Sequence, residues 1–182
     1  MRGVERGQDG KLIPVILTHI GRALTAEQEA AGGKWHMYAG FHKSLEVYNI
    51  DKIVLDEQAV EQAKASGHVL ITEGCFDVAK LVEAGILNVG ATFGAHLDED
   101  QLPRLKLIAE ATGVSDFLIW YDRDPAGAAG QEKAVALINA SGDLTATGFD
   151  WEASLPSPGR GSEKIPETVM DPGEFTGEQL RF

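Results

Sequence analysis

Between residues 68 and 140, short apolar runs of strand type alternate with runs of helix-forming residues, joined by connections of a few residues. His68–Thr72 (HVLIT), Ile86–Thr92 and Phe117–Tyr121 (FLIWY) read as strands. Phe76–Ala84, Asp98–Ala111 and Pro125–Ala140 read as helices, with Gly85 and Gly94 breaking the chain between elements. This pattern restricts the fold more than any other feature. Successive strand–helix–strand units cross over right-handed, which gives a parallel sheet with helices on both faces. The expected class is therefore α/β, of Rossmann type.

The flanking segments are less regular. Residues 7–17 read as a turn and a strand, Thr25–Ala31 as a short helix ended by Gly32-Gly33, and Asp51–Ser66 as one helix ended by Gly67. Between them, Lys34, His36, His42 and Lys43 interleave with Trp35, Tyr38, Phe41 and Tyr48. Such a stretch can contact phosphates and stack on bases, or it can build a core, and the core is the expectation. Leu144–Trp151 reads as one more strand, and residues 154–164 (SLPSPGRGSEK) as a loop. Three units result: a small N-terminal basic and aromatic subdomain (1–50), the sheet domain (51–153), and a C-terminal loop with a short segment (154–182).

Composition narrows the setting. No apolar run approaches the roughly 20 residues of a membrane span, and MRGVERGQDGK has no apolar core of a secretory signal. A single Cys excludes an internal disulfide framework and a multi-Cys zinc site, so the cytoplasm is the expected location. The net charge of −12 is uneven: residues 1–43 hold six Lys/Arg and four Asp/Glu, and the remainder ten and 24. An acidic chain does not grip DNA by bulk electrostatics; it suits a domain that gathers divalent cations, although most of the acids need be no more than solvated surface.

Three groups of acids fall where a parallel sheet presents ligands, at strand ends. Asp122 and Asp124 follow FLIWY, Glu73 follows HVLIT with Asp77 one helical turn on, and Asp171 and Glu174 lie after the last strand and its loop. The bland alternative for the first pair is that Asp124 caps a helix opened by Pro125. Clustered carboxylates repel one another unless a cation sits among them, and oxygen-only ligation selects Mg²⁺ or Mn²⁺ over zinc. Such ions clamp phosphates in phosphoryl and nucleotidyl transfer.

Thr72-Glu73-Gly74-Cys75-Phe76-Asp77, paired with Tyr121-Asp122-Arg123-Asp124-Pro125-Ala126-Gly127, resembles the Toprim domain, most closely that of bacterial-type DNA primases. Glu83-Ala84-Gly85-Ile86, Gly90-Ala91-Thr92-Phe93-Gly94, Leu97 and Gln101 are similar to the stretch between the two motifs. Phe41-His42-Lys43-Ser44 with Val47-Tyr48-Asn49, and earlier Gly21-Arg22-Ala23-Leu24 and Lys34, resemble the basic motifs before the core. Asp171-Pro172-Gly173-Glu174 resembles the third acidic motif, with Gly173 where the family has a second Asp.

The resemblance implies roles. Glu73 would be the acid/base or metal-adjacent carboxylate, Asp122 and Asp124 the principal Mg²⁺ (or Mn²⁺) ligands, and Asp77 and Asp171 a second metal position. Arg22, Lys34 and Lys43 would hold nucleotides or template. Cys75, at a variable position, reads as a small packing residue. The implied activity is RNA primer synthesis from nucleoside triphosphates on single-stranded DNA, with a zinc-module protein or a replicative helicase as partners. The alternatives are a Toprim nuclease, or a non-catalytic module that binds nucleic acid or a replication partner. The zinc-binding and helicase-binding regions of such primases are not in this sequence. The expectation is a domain of a longer protein, a mobile-element relative or a reduced stand-alone form.

Overall fold

The computed structural model describes residues 1–157 and 161–175. The chain opens with an antiparallel hairpin of β1 (Arg2–Arg6) and β2 (Leu12–Ile16), turned at Gly10 with φ +79°. A second ribbon pairs β3 (Ile20–Arg22) with β4 (Trp35–Met37) around α1 (Ala26–Gly32). Thr25 caps α1 by accepting from the Gln28 N–H, and Gly33 ends it, as the sequence suggests.

Asp51–Ser66 is two helices rather than one: α2 (Ile50–Leu55) and α3 (Glu57–Ser66). Asp56 breaks the run because its extended backbone lets its side chain accept from the N–H groups of Gln58 and Ala59, capping α3 at the expense of continuity. Next come β5 (Val69–Thr72), α4 (Cys75–Glu83), β6 (Val89–Ala91), α5 (Leu102–Thr112), β7 (Asp116–Ile119), α6 (Pro125–Ala140) and β8 (Thr145–Gly148). The four strands β5–β8 form one parallel sheet ordered β6-β5-β7-β8, flanked by helices, so the α/β class read from the alternation holds. The strands are shorter than the apolar runs because ladder pairing, not hydropathy, sets their ends.

The two faces of the sheet carry separate cores, as the alternation of side chains along a strand requires. On one face Val69, Ile71, Phe117 and Ile119 pack with Ile50, Ile53, Leu105, Ile108 and Ile138; Val4 and Val47 join them, so the first 50 residues share this core. On the other face Leu70 and Leu118 meet Val78 and Leu81 of α4, together with Trp120, Ile165, Val169 and Phe175.

Two sequence expectations differ. The stretch read as a loop over 154–164 contains an antiparallel ribbon, β9 (Ser154–Ser157) with β10 (Gly161–Lys164); its Pro and Gly content masks a pairing that depends on the partner strand alone. The aromatics between Lys34 and Asn49 do not form the core either. Tyr38 is 67% exposed and Trp35, Phe41 and Tyr48 are only partly buried, Tyr48 alone of them packing against a core cluster.

The helix α6 docks closely through its small residues. A Cβ on Gly130 would overlap the carbonyl oxygen of Ala95. Alanine for glycine within a helix is favourable by about 0.5–1 kcal/mol, whereas forcing an atom into a packed backbone contact costs about 1–3 kcal/mol. Gly130→Ala is therefore expected to lower stability by about 1–2 kcal/mol in denaturant unfolding; a more stable variant would contradict this docking.

Candidate active site

Three chain segments deliver carboxylates to the carboxyl end of the sheet. After β5, Glu73 and Gly74 lead into α4, and the Gly74 N–H donates to Asp77 Oδ2 at 2.9 Å, which fixes Asp77 at the first turn. The Glu73 carbonyl accepts from the Gly94 N–H at 2.9 Å, tying in the loop after β6. After β7, Trp120 and Tyr121 stay buried, and the Asp122 N–H donates to Glu73 Oε1 at 3.1 Å, linking the two strand ends. Gly127 makes this possible: a Cβ there would overlap the Asp122 carbonyl oxygen and stand 2.9 Å from Glu73 Oε1. The third segment brings Asp171 and the 3-10 turn Pro172–Glu174 against α4, with the Cβ position of Gly173 only 3.2 Å from both Asp77 Oδ1 and Asp171 Oδ1.

A contact set at the back of the sheet holds that third segment. The Arg123 N–H donates to the Met170 carbonyl, and its guanidinium donates to the Pro166 carbonyl at 3.1 Å, pairs with Glu152 at 2.8 Å and lies 5.8 Å from the Trp151 ring centre. Trp120 stacks on Phe149 at 4.3 Å and meets Phe175 edge-on at 5.1 Å. The residue between Asp122 and Asp124 is thus a latch on the segment that carries Asp171.

Glu73, Asp77, Asp122 and Asp171 line one cleft of about 520 Å³, together with Arg22, Lys34 and Lys43. These seven of the eight residues singled out in the sequence converge. Asp124 does not line this cleft. Its Oδ1 accepts from the Gly127 N–H at 2.7 Å, which is the capping role, and it faces a neighbouring cleft of about 410 Å³ that also borders Asp122. The histidines His36 and His42 are both exposed. Trp35, one of the aromatics that interleave with the basic residues, lines the cleft; Phe76 and Phe93 in its lining and Arg123 as a latch were not read from the sequence, and Phe93 holds a φ of +68°, a strained value for a bulky residue.

The carboxylates perturb one another. Burial, then the Asp122 charge, pushes Glu73 up to about 7. Burial, then the charges of Asp122 and Asp171, pushes Asp77 up to about 7. Asp122 is pushed up to about 6 by burial and by Asp171, Asp124 and Glu174, with Lys34 working in the opposite direction. Asp171 is raised by burial and by Glu174. Asp122 Oδ1 is buried with no hydrogen-bond partner, and every donor here is a carboxylate oxygen, so the residues fit a hard divalent cation. Among the described residues no three Asp, Glu, His or Cys side chains form a ready-made ligand set.

Residues 67–148 match the Toprim domain family. A DNA primase of Lactococcus lactis is 37% identical over 101 residues, which are 56% of this chain and 14% of that protein. The zinc-binding and RNA polymerase domains of the Aquifex aeolicus primase superpose with a TM-score of 0.65 at 24% identity, covering 91% of this chain and 36% of that one. The RNA polymerase domain of the Mycobacterium tuberculosis primase DnaG, in complex with a double-stranded DNA oligomer with a 6-nucleotide overhang, gives a TM-score of 0.59 at 18% identity and covers 98% and 56%. The chain thus spans well under two thirds of the length of these relatives.

A pH dependence follows from the raised carboxylates. In the folded state Glu73, Asp77 and Asp122 hold protons that the unfolded chain has released, so without metal their contribution to stability is full below about pH 4 and is lost as pH rises to about 7. In EDTA the melting temperature is expected to fall across that interval. Millimolar Mg²⁺ or Mn²⁺ should restore it at the upper end and have little effect at the lower, where the sites are protonated. Asp122→Asn should raise the melting temperature in EDTA and lose the metal response. A profile flat in pH, or a metal effect equal at both ends, would contradict the coupling.

Proposed function

Residues 67–148 form a Toprim domain, and we propose that this chain is a primase-type nucleotidyltransferase that makes short RNA primers on single-stranded DNA. The observation that carries the reading is the mixed lining of one cleft of about 520 Å³, in which Glu73, Asp77, Asp122 and Asp171 share the space with Arg22, Lys34 and Lys43. A triphosphate needs both kinds of group: cations for its oxygens and acids to manage metal and proton. The fold shared with primase polymerase domains, some of them bound to DNA, supports the same reading.

Asp122, with its unpartnered Oδ1, would hold a divalent ion together with Asp77 or Asp171, and substrate phosphates and water would complete a shell that the protein leaves open. When bound, that Mg²⁺ or Mn²⁺ neutralises charge on the reacting phosphate. Asp124 supports the site by capping α6 and by its charge near Asp122. Glu174 adds charge beside Asp122 and Asp171 where the family has a second Asp, although its Oε2 is engaged by the Met170 N–H at 2.7 Å.

In the reaction a 3′-hydroxyl attacks the α-phosphate of an incoming nucleotide and pyrophosphate leaves. Glu73, raised to about 7, takes the proton of the attacking hydroxyl, a role best filled by a base whose pKa lies near the working pH. Arg22, Lys34 and Lys43 orient the triphosphate and offset its charge. Such an activity would be cytoplasmic, where template and nucleotides are found; a zinc-module protein and a replicative helicase are the proposed partners.

One other reading has a specific observation behind it. Gly173 in place of an acid, and the lack of a ready-made three-residue ligand set among the described residues, favour a binding module without chemistry. A primer-synthesis assay decides, with single-stranded template, nucleoside triphosphates, Mg²⁺ or Mn²⁺ and a zinc-module protein supplied in trans. Wild type is expected to extend; Asp122→Ala should abolish product, and Glu73→Gln should slow it by about 10²–10⁴-fold. No product from wild type would sink the primase reading, and shortening of labelled nucleic acid instead of extension would identify a nuclease. Full synthesis by Asp122→Ala would remove the assigned site.

A further inference from the structure

Beside the carboxylates, the cleft has a wall of a different chemistry. Phe76, one residue before Asp77 at the start of α4, is 49% exposed, although α4 buries Val78 and Leu81 of the same turns. Trp35 of β4 packs its ring against Phe76 with centroids 5.3 Å apart and a tilt of 40°. The Arg22 guanidinium lies over both rings, 5.0 Å from the Phe76 centroid and 5.7 Å from that of Trp35. All three line the same cleft as Glu73, Asp122 and Lys34.

We propose that Trp35, Phe76 and Arg22 form a stacking platform for the nucleobase of a nucleotide whose phosphates lie between Lys34, Lys43 and the carboxylates. The inference rests on the reading of the cleft as a triphosphate site and adds the part of the ligand that the acids and lysines leave unaddressed. Aromatic faces and guanidinium planes are the surfaces on which unpaired bases stack. Stacking tolerates any base, because every base has a π-face, as template-directed synthesis demands. Arg22 therefore acts from the platform as well as by its charge, its guanidinium lying close to both rings. The alternative for these residues is that they only join the β3–β4 ribbon to α4.

Calorimetric titration of the whole chain in Mg²⁺ with two probes, ATP and inorganic tripolyphosphate, separates these possibilities. Phe76→Leu keeps an apolar side chain under Trp35 and removes the π-face; Trp35→Leu does the same on the other ring. Each variant is expected to bind ATP about tenfold more weakly while its affinity for tripolyphosphate is unchanged, and Lys34→Ala should weaken both probes. Equal losses for both probes in Phe76→Leu, or no loss for either, would overturn the platform and leave the triphosphate site standing. If wild type binds neither probe, the triphosphate reading itself fails and the platform with it. Thermal unfolding of each variant checks the packing alternative: a lowered melting temperature with unchanged ATP affinity assigns the cluster to the ribbon junction and overturns the proposal.

Discussion

Repulsion among half-buried carboxylates is the constraint on which the rest of this structure depends. Burial is the largest cause that raises Glu73, Asp77, Asp122 and Asp171, and the charges of neighbouring carboxylates add to it in each case. The scaffold must hold them together regardless. It does so by placing each acid directly after an element that cannot give way: Glu73 after a strand with all four residues buried, and Asp122 after the fully buried Trp120 and Tyr121. Burial of one large apolar side chain contributes about 1.5–3 kcal/mol, so two cores filled with Phe117, Ile119, Leu105, Leu81 and their neighbours outweigh a few repulsive pairs. The repulsion that remains is what raises the proton affinity of these carboxylates.

The central sheet was legible because its signals are local. Each strand of β5–β7 is a short apolar run, and each helix announces its limits by Gly, Pro or Asp; α6 begins at Pro125 behind the Asp124 cap and ends at Ala140, as read from the residues. What could not be read is what depends on distant partners. The hairpin strand β1 contains little that is apolar besides Val4, and exists because Leu12–Ile16 lies alongside. The β9–β10 ribbon likewise follows from pairing. Asp56 is a subtler case, since one side chain capping two N–H groups split a sequence of uniformly good helix formers.

The acids of the candidate site were legible for the same reason, since acids at strand ends are visible in sequence once the strands are; Arg22, Lys34 and Lys43 were singled out as site residues by the resemblance to primase Toprim domains and not by a local pattern of their own. The division of labour among the acids was not legible. Asp122 and Asp124 are separated by one residue and look equivalent, yet the first is wedged against Glu73 while the second turns away to hold the first turn of α6. Arg123 between them reaches Pro166, 43 residues on, and no local pattern foretells that contact. The segment bearing Asp171 is held through this arginine and the rings around Trp120, so the third acid depends on packing behind the sheet as much as on its own motif.

Among the cations, Lys43 has its own anchor, and it bears on where the functional unit begins. Gln101 is 1% exposed; its side-chain amide accepts from the Asp98 N–H at 2.9 Å and donates to the carbonyls of Glu46, at 2.7 Å, and of Lys43, at 3.4 Å. Arg104, one helical turn further, pairs with the buried carboxylate of Glu46 and donates to the Val4 carbonyl at 3.3 Å. Buried polar groups of this kind are costly unless paired, so the bonds of Gln101 and of Glu46 Oε1 favour one arrangement, although Glu46 Oε2 is buried without a partner. The backbone of Lys43 is thereby set relative to the loop after β6, whose Gly94 binds the Glu73 carbonyl. The placement of Lys43 relative to Glu73 thus depends on the junction of the first 50 residues with the sheet, and not on either part alone. Arg22, Lys34 and Lys43 all belong to that N-terminal portion, so the cleft owes its acids to the sheet and the C-terminal segment and its cations to the residues before α2.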